Sequence, residues 1–367
     1  MALNPSGAIS LAGPSVGQSI AVELGVSATA TISLNDTNVR TLAQVPSGVI
    51  VMPTNFYGKS NFTGTQKAIF GYGGQVGPNA FFNITNLVSN TGVVSSNTPG
   101  VGSNRRQCAA AGYGGDKAIF GYGADNPGGT YYNTTNLVSN TGVVSANSPG
   151  VGTVRQALSA AMYGGDKALF GYGNTVPGAT AYNMTNLVSN TGVVASDTPG
   201  VGTARGGSAA AGYGGDKAIF GYGATNTASY SMTNLVSNTG VVASDTPGVG
   251  TTRFGPAAAG YGGDKAIFGY GLAGPTIPTA TPYVSTTNLV SNTGVVASDT
   301  PGVGTARGGL AAAGYGGDKA IFGYGRLNPG TSFSITNLVS NTGVVASDNP
   351  GVGTSRFGLG AAGYSLT

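Results

Sequence analysis

Few residues in this chain can do chemistry, and most of them recur at one spacing. There is no histidine and only one cysteine, Cys108, so neither a Ser-His nor a Cys-His nucleophile pair can be assembled, and zinc lacks its usual ligands. Paired carboxylates can hydrolyse glycosides without histidine, so the twelve acidic residues come first. Five of them, Asp116, Asp166, Asp216, Asp264 and Asp318, stand before lysine in the same Gly-Gly-Asp-Lys phrase, but the first copy has Gln66 there. Asp197, Asp245, Asp299 and Asp348 precede a Pro-Gly turn, and Asn97 and Asn147 replace them in the first two copies. Where an amide serves as well as a carboxylate, the role is an Asx-turn hydrogen bond rather than proton transfer. No catalytic residue, metal ligand or cofactor is expected.

Arginine offers a different chemistry, a planar fork of donors for oxyanions. Arg106, Arg155, Arg205, Arg253, Arg307 and Arg356 each precede an alanine-rich run. Two roles are open for them: clamping an anion or sugar acid at one end of an axial channel, or bonding carbonyls of a neighbouring repeat and stapling the repeats together. An aromatic set, Phe82, Tyr132, Tyr182, Tyr230, Tyr283 and Phe333, with the fifth shifted by one residue, suits packing between repeats or a glycan-binding surface.

These sets are positioned by a repeat of about 50 residues. Lys-Ala-Ile/Leu-Phe-Gly-Tyr-Gly begins at Lys67, Lys117, Lys167, Lys217, Lys265 and Lys319, a period that means a solenoid, an array or a propeller. Within one copy, four β-like runs, Ser208–Tyr213, Lys217–Tyr222, Ser231–Ser237 and Gly240–Ser244, are separated by glycine-, proline- and Asx-rich turns. Four such strands make one propeller blade. The first copy lacks the Arg-x-x-Ala-Ala-Ala-Gly-Tyr phrase, and an unattached one runs from Arg356 to Tyr364. An open stack would leave raw sheet edges or need dissimilar caps. The expectation is therefore an all-β, six-bladed propeller over 61–367, closed by a C-terminal inner strand that completes the first blade.

In its apolar inner strand ending in Gly-Tyr and its second strand Lys217-Ala-Ile-Phe-Gly-Tyr-Gly223, the unit resembles a kelch-type propeller repeat. It departs from that pattern in having no tryptophan.

Composition narrows the partners. Glycine makes up 66 of 367 residues, charged residues 8% and apolar residues 40%, and the regular apolar runs argue for packed β structure rather than low complexity. The net charge of +4 is not clustered, which argues against nucleic-acid binding. A lone cysteine forms no intrachain disulfide. No apolar run approaches a membrane span, and no signal-peptide pattern opens the chain.

Residues 1–60 stand outside the repeat. Ser15-Val-Gly-Gln18 and Ser33-Leu-Asn-Asp36 have capping-box spacing, with Gly25 and Gln44-Val-Pro46 as stops, predicting short helices at about 16–24 and 34–44. So small an element is expected to dock on a partner or on copies of itself. Ser6-Gly-Ala-Ile-Ser-Leu11, Glu23 to Asp36, Val39-Arg-Thr-Leu-Ala43 and Phe56-Tyr-Gly-Lys-Ser60 resemble the N-terminal region of structural proteins of tailed bacteriophages. The resemblance implies a virion component made in the host cytoplasm, oligomeric in the particle and joined to other virion proteins through residues 1–60.

The six copies also compare with one another. They differ mainly in the loop between strands two and three (74–80, 124–130, 174–181, 224–229, 272–282, 326–331) and at the start of strand one. In an up-and-down blade these two places share one face, and the fixed turns share the other. A rigid scaffold carrying variable loops suits recognition, here of a host-surface glycan or protein. The expected function is a non-enzymatic virion protein in a tail fibre, baseplate periphery or capsid decoration. A purely structural assembly piece is the alternative, and a glycan-active enzyme ranks third.

Overall fold

A computed structural model describes residues 3, 9–12, 19–24, 27, 29, 31–43, 49–52, 65–75, 80–125, 129–175, 180–274, 282–327 and 330–366. The chain forms two compact units, Met1–Thr63 and Gly64–Thr367.

The N-terminal unit has helices α1 (Ile20–Glu23) and α2 (Thr37–Ala43). Ile20, Val39 and Leu42 close on Leu3, Ile9 and Ala43, so this unit has a small apolar core of its own. Helix α2 starts three residues later than predicted. The Ser33 amide donates to Asp36 Oδ2 (2.7 Å) and the Arg40 amide to the Asp36 carbonyl (2.9 Å), so Asp36 is the N-cap and Ser33–Asp36 the turn before it. The expected caps and stops at Ser15–Gln18, Gly25 and 44–46 lie outside the described residues. No described helix is long and apolar enough to cross a membrane.

The second unit is a ring of six small antiparallel sheets, the blades of a β-propeller. Blade 2 is built from Ala109–Tyr113, Lys117–Ala124 and Tyr131–Val138. Blades 3 to 6 follow with inner strands Ser159–Tyr163, Ala209–Tyr213, Ala257–Tyr261 and Ala311–Tyr315. Blade 1 draws on both ends of the unit: Lys67–Gly71 pairs with Thr85–Val88 on one side and with Gly360–Tyr364 on the other, Ala68 opposite Gly363.

The fourth run of each blade is looser than expected. It is held by two isolated bridges, Val138 to Val144 and Thr135 to Ser148 in blade 2, because each run is interrupted by bonds to its own turn, such as Ser139 Oγ accepting the Val143 amide (3.1 Å).

Two circles of backbone hydrogen bonds close the ring. At one end Gly114, Gly164, Gly214 and Gly262 donate to the carbonyls of Asp166, Asp216, Asp264 and Asp318, Gly316 donates to Gln66, and Ser365 to Asp116, at 2.6 to 2.9 Å. At the other end Gln107 donates to Gly358, Ala157 to Gln107, Gly207 to Ala157, Gly255 to Gly207, Gly309 to Gly255 and Gly358 to Gly309, at 2.5 to 3.0 Å. All six members of the second circle have positive φ, between 53° and 64°, where glycine is at ease and Gln107 and Ala157 are strained.

Between blades, small residues allow close approach. A Cβ on Gly260 would lie 3.4 Å from the Gly212 carbonyl of the neighbouring inner strand. A Cβ on Gly121 would meet the Phe170 ring of the next blade at 2.8 Å.

Candidate functional site

The arginine set is where the structure departs most from the sequence reading. Its six equivalent members are Arg105, Arg155, Arg205, Arg253, Arg307 and Arg356, all at 0% exposure. Arg106 stands one residue out of phase. Counting from the shared Val-Gly pair, Val101-Gly102 and Val151-Gly152, gives Arg105 as the partner of Arg155. None of the six lines the axial channel. Each guanidinium lies 4.1 to 4.5 Å from the ring centroid of a tyrosine in the preceding blade: Tyr72, Tyr122, Tyr172, Tyr222, Tyr270 and Tyr324 in turn. These tyrosines occupy a bulge with φ of 62° to 66°, a conformation that costs about 1–3 kcal/mol for a bulky residue. The bulge throws the ring off the ladder into the gap between blades.

In its own blade, Arg155 donates from Nε to the Tyr172 carbonyl (2.8 Å) and from its terminal nitrogens to the Thr153 carbonyl (3.0 Å) and Asn186 Oδ1 (2.7 Å). Arg205, Arg307 and Arg356 repeat this pattern. Arg105 and Arg253 keep the bond to their asparagines, Asn136 and Asn288. The buried asparagine of each Thr-Asn-Leu-Val run supplies one acceptor for its charge, while Arg105 Nε and Nη1 and Arg253 Nε have none. Sequence reasoning missed that asparagine, although its repetition at Asn86, Asn136, Asn186, Asn234, Asn288 and Asn337 inside an apolar strand was the available signal.

The carboxylates have partners within the scaffold. Asp116 accepts from Lys117 Nζ (2.7 Å) and Asn140 Nδ2 (3.1 Å), so both fixed turns of blade 2 lie at the same end. Asp197 accepts from the Thr153 amide and hydroxyl and from Asn186. Its bond reaches across to the segment entering the blade rather than closing a local Asx turn, which corrects the predicted partner. Asn147 does the same with the Ser103 amide (3.3 Å). Burial alone would raise the Asp197 pKa, but hydrogen bonds from Thr153 and Asn186 and the charge of Arg155 outweigh it and hold the carboxyl below its usual range. Among the described residues, no three His, Cys, Asp or Glu side chains gather as metal ligands. Cys108 is buried in the core between blades 1 and 2, and burial pushes its thiol pKa up.

The two variable places meet. Bridges align one residue before each inner strand, one after the second strand and one before the third into a row across every blade. The rows are Phe357, Gly74, Phe81 in blade 1; Arg106, Ala124, Tyr131 in blade 2; Gln156, Asn174, Ala181 in blade 3; Gly206, Ala224, Ser229 in blade 4; Phe254, Leu272, Tyr283 in blade 5; and Gly308, Arg326, Ser332 in blade 6. They form one layer beside the second hydrogen-bonded circle, at the end opposite the fixed turns. Aromatic and cationic residues occupy blades 5, 6, 1 and 2, and small or neutral polar ones blades 3 and 4.

The predicted aromatics sit next to this layer. Phe82, Tyr132, Tyr182, Tyr230 and Phe333 are half-buried, and their carbonyls accept the amides of Arg105, Arg155, Arg205, Arg253 and Arg356 of the following blade. Tyr283 is not equivalent to them: Val284 holds their register, opposite Gly271 as Tyr132 is opposite Gly123, and Tyr283 belongs to the variable row. The tips of five of the six loops between strands two and three lie outside the described residues.

The chain enters the propeller at the constant end, where Gly316 and Gly317 donate to the Gln66 and Thr65 carbonyls at 2.9 and 3.2 Å.

No protein-family model matches the sequence. No curated protein matches it either. Among solved structures, that of YjhT, a kelch-repeat β-propeller protein, is similar with a TM-score of 0.53 at 12% identity, covering 70% of this chain and 88% of that one. That likeness establishes the fold.

Proposed function

We propose that the chain is a non-enzymatic structural protein of a bacteriophage particle, in a tail fibre, baseplate periphery or capsid decoration, that displays its propeller for host-surface recognition. The carrying observation is the division of the propeller into a constant end, where the chain enters at Thr65, and an opposite end bearing a different three-residue row on each blade. A scaffold attached at one end and varied at the other presents its variable loops outward. The phage-like phrases of residues 1–60 support attachment to other virion proteins there. The engagement of the carboxylates in turn and crossover bonds supports a non-enzymatic role.

The test is binding of the labelled full chain to host cells. A variant carrying the blade 4 row in blade 5, Phe254→Gly, Leu272→Ala and Tyr283→Ser, keeps a row the fold already accepts. Loss of binding with an unchanged melting temperature is the expected result. Binding that survives exchange of every row sinks recognition. Electron microscopy of intact particles tests the virion assignment, and absence of the chain from them ends it.

A second reading rests on a specific observation. Val93, Val143, Val193, Val241, Val295 and Val344, just after the fixed Ser-Asn-Thr-Gly turns, are 66–67% exposed. This apolar ring suits packing of the propeller against neighbouring virion proteins. Lysine at these six positions disrupts assembly but not cell binding if packing is the propeller's task.

A further inference from the structure

The basic residues of the propeller follow its sixfold pattern with two exceptions. Six buried arginines and six Asp-Lys or Gln-Lys lysines repeat from blade to blade, leaving Arg106 and Arg326. Both exceptions fall in the variable layer, and both pack on one ring. Arg106 Cζ lies 5.2 Å from the centroid of Phe357 and 5.2 Å from that of Phe81, and Arg326 Cζ lies 4.2 Å from that of Phe357. Phe357 itself is buried, 4% exposed, so its position is fixed.

Among the described residues of the propeller, neither arginine has a counter-charge. All twelve acidic residues fall among the described residues. Ten of them lie in the propeller. Five aspartates pair with their neighbouring lysines, and four hold the entering crossovers. Asp125, the only acid off the pattern in the propeller, accepts from the Thr130 amide (2.8 Å) and the Tyr132 hydroxyl (3.0 Å). Arg106 Nε is buried with no acceptor. Burial, and then the charge of Arg326, depress the Arg106 pKa. Two like charges held against one aromatic ring repel each other unless an anion comes between or beside them.

We propose that Arg106 and Arg326 bind the acid group of a saccharide on the variable face. This deepens the recognition reading and rests on it. A guanidinium group suits an oxyanion. Half-buried Phe81 and Tyr131, one row position from Gly74 and Ala124, offer apolar surface for the C–H face of a sugar. Gln107, whose side chain is the only polar one on the adjacent hydrogen-bonded circle of Gln107, Ala157 and four glycines, supplies an amide for a neighbouring hydroxyl. A carboxylate and a phosphate ester share this chemistry.

The test is calorimetric titration of the full chain with trigalacturonate, its fully methyl-esterified form and mannose 6-phosphate. Binding of one acid with a Kd below about 1 mM, at least about tenfold tighter than the ester and weakened by raised salt, is the expected result. Whichever acid binds identifies the oxyanion. Arg326→Gln, at a half-buried residue, is expected to leave the melting temperature in place and to weaken binding about tenfold or more, and Arg106→Gln to do the same. An ester that binds as well as the acid, an unaltered Kd in Arg326→Gln, or no binding of either acid overturns the proposal. Cell binding that is lost on row exchange but unchanged in the Arg106/Arg326 double variant overturns this site alone. Absence of any cell binding overturns the recognition reading.

Discussion

The two ends of the propeller are made from the same six blades under opposite rules. At the constant end five blades use the same aspartate and lysine, with Gln66 in the first, and a circle of backbone bonds runs through the turns. At the variable end a second circle runs through residues of positive φ, and the row outside it changes from blade to blade. The comparison teaches where stability resides. Stacked Tyr and Arg, the Asn acceptors and the Phe-Gly contacts lie between the ends and are shared by all blades, whereas the contacts of the variable row, such as Arg106 and Arg326 on Phe357, differ from blade to blade. Gly206, Ala224 and Ser229 of blade 4 do the structural work of Phe254, Leu272 and Tyr283 of blade 5.

The largest expected effect comes from opening the ring at blade 1. Deleting Gly360–Thr367 removes the inner strand of blade 1, cuts the Ser365 link and exposes the Lys67–Gly71 edge. The expected product elutes as aggregate in size-exclusion chromatography and lacks a cooperative melt, and a folded monomer would contradict ring closure as the source of stability.

Next is the shared layer at high pH. Burial pushes Tyr122, Tyr172 and Tyr270 up to about 12, against the lowering effect of their arginines. A phenol whose folded pKa exceeds its unfolded value of about 10 contributes stability that is full below pH about 10 and lost as pH rises toward 12, on the order of 2 kcal/mol for each. The urea midpoint should fall across that window, and a flat midpoint would refute the buried tyrosine layer.

Single substitutions sharpen the contrast. Arg205→Ala leaves Asn234 Oδ1 and the Tyr222 carbonyl without their donor and should cost about 3–5 kcal/mol in urea unfolding, while Arg326→Gln should stay within about 0.5 kcal/mol. Ala157→Gly relieves a positive φ of 53° in the second circle and should stabilise by about 0.5–1 kcal/mol. The smallest effect is Asp197→Asn, within about 0.5 kcal/mol at pH 7, because Asn147 already fills that place in blade 2. The native carboxyl, held below its usual range, contributes stability that is present above the ordinary carboxylate pKa and lost as pH falls through its lowered one. The variant should therefore lose less stability on acidification.

Much of this was legible in the chain. The repeat named the blades, the displaced Arg356–Tyr364 phrase named the strand that closes the ring, and internal comparison named the variable face. The phase of the arginine set was misread where two arginines stand side by side at 105 and 106, although counting from Val101-Gly102 and Val151-Gly152 gives Arg105, and contact with Tyr72 and Asn136 agrees. The aspartates before Pro-Gly were read as local turns, since local chemistry is all that a turn sequence displays, and their partners lie a whole repeat away.

By itself, then, the sequence determined what repeats: strand period, turn glycines and the small residues of the inner strands all follow from rules acting over a few neighbours. Tertiary structure alone decided what meets across blades. Closing the ring brings Arg106, Arg326 and Phe357 from distant repeats onto one site, links Gln107 to Gly358, and buries Arg105 while leaving its neighbour half-exposed. The reason is geometric: which blades adjoin, and which side of each residue faces the gap, is set by closure of the whole circle and by nothing in any single repeat.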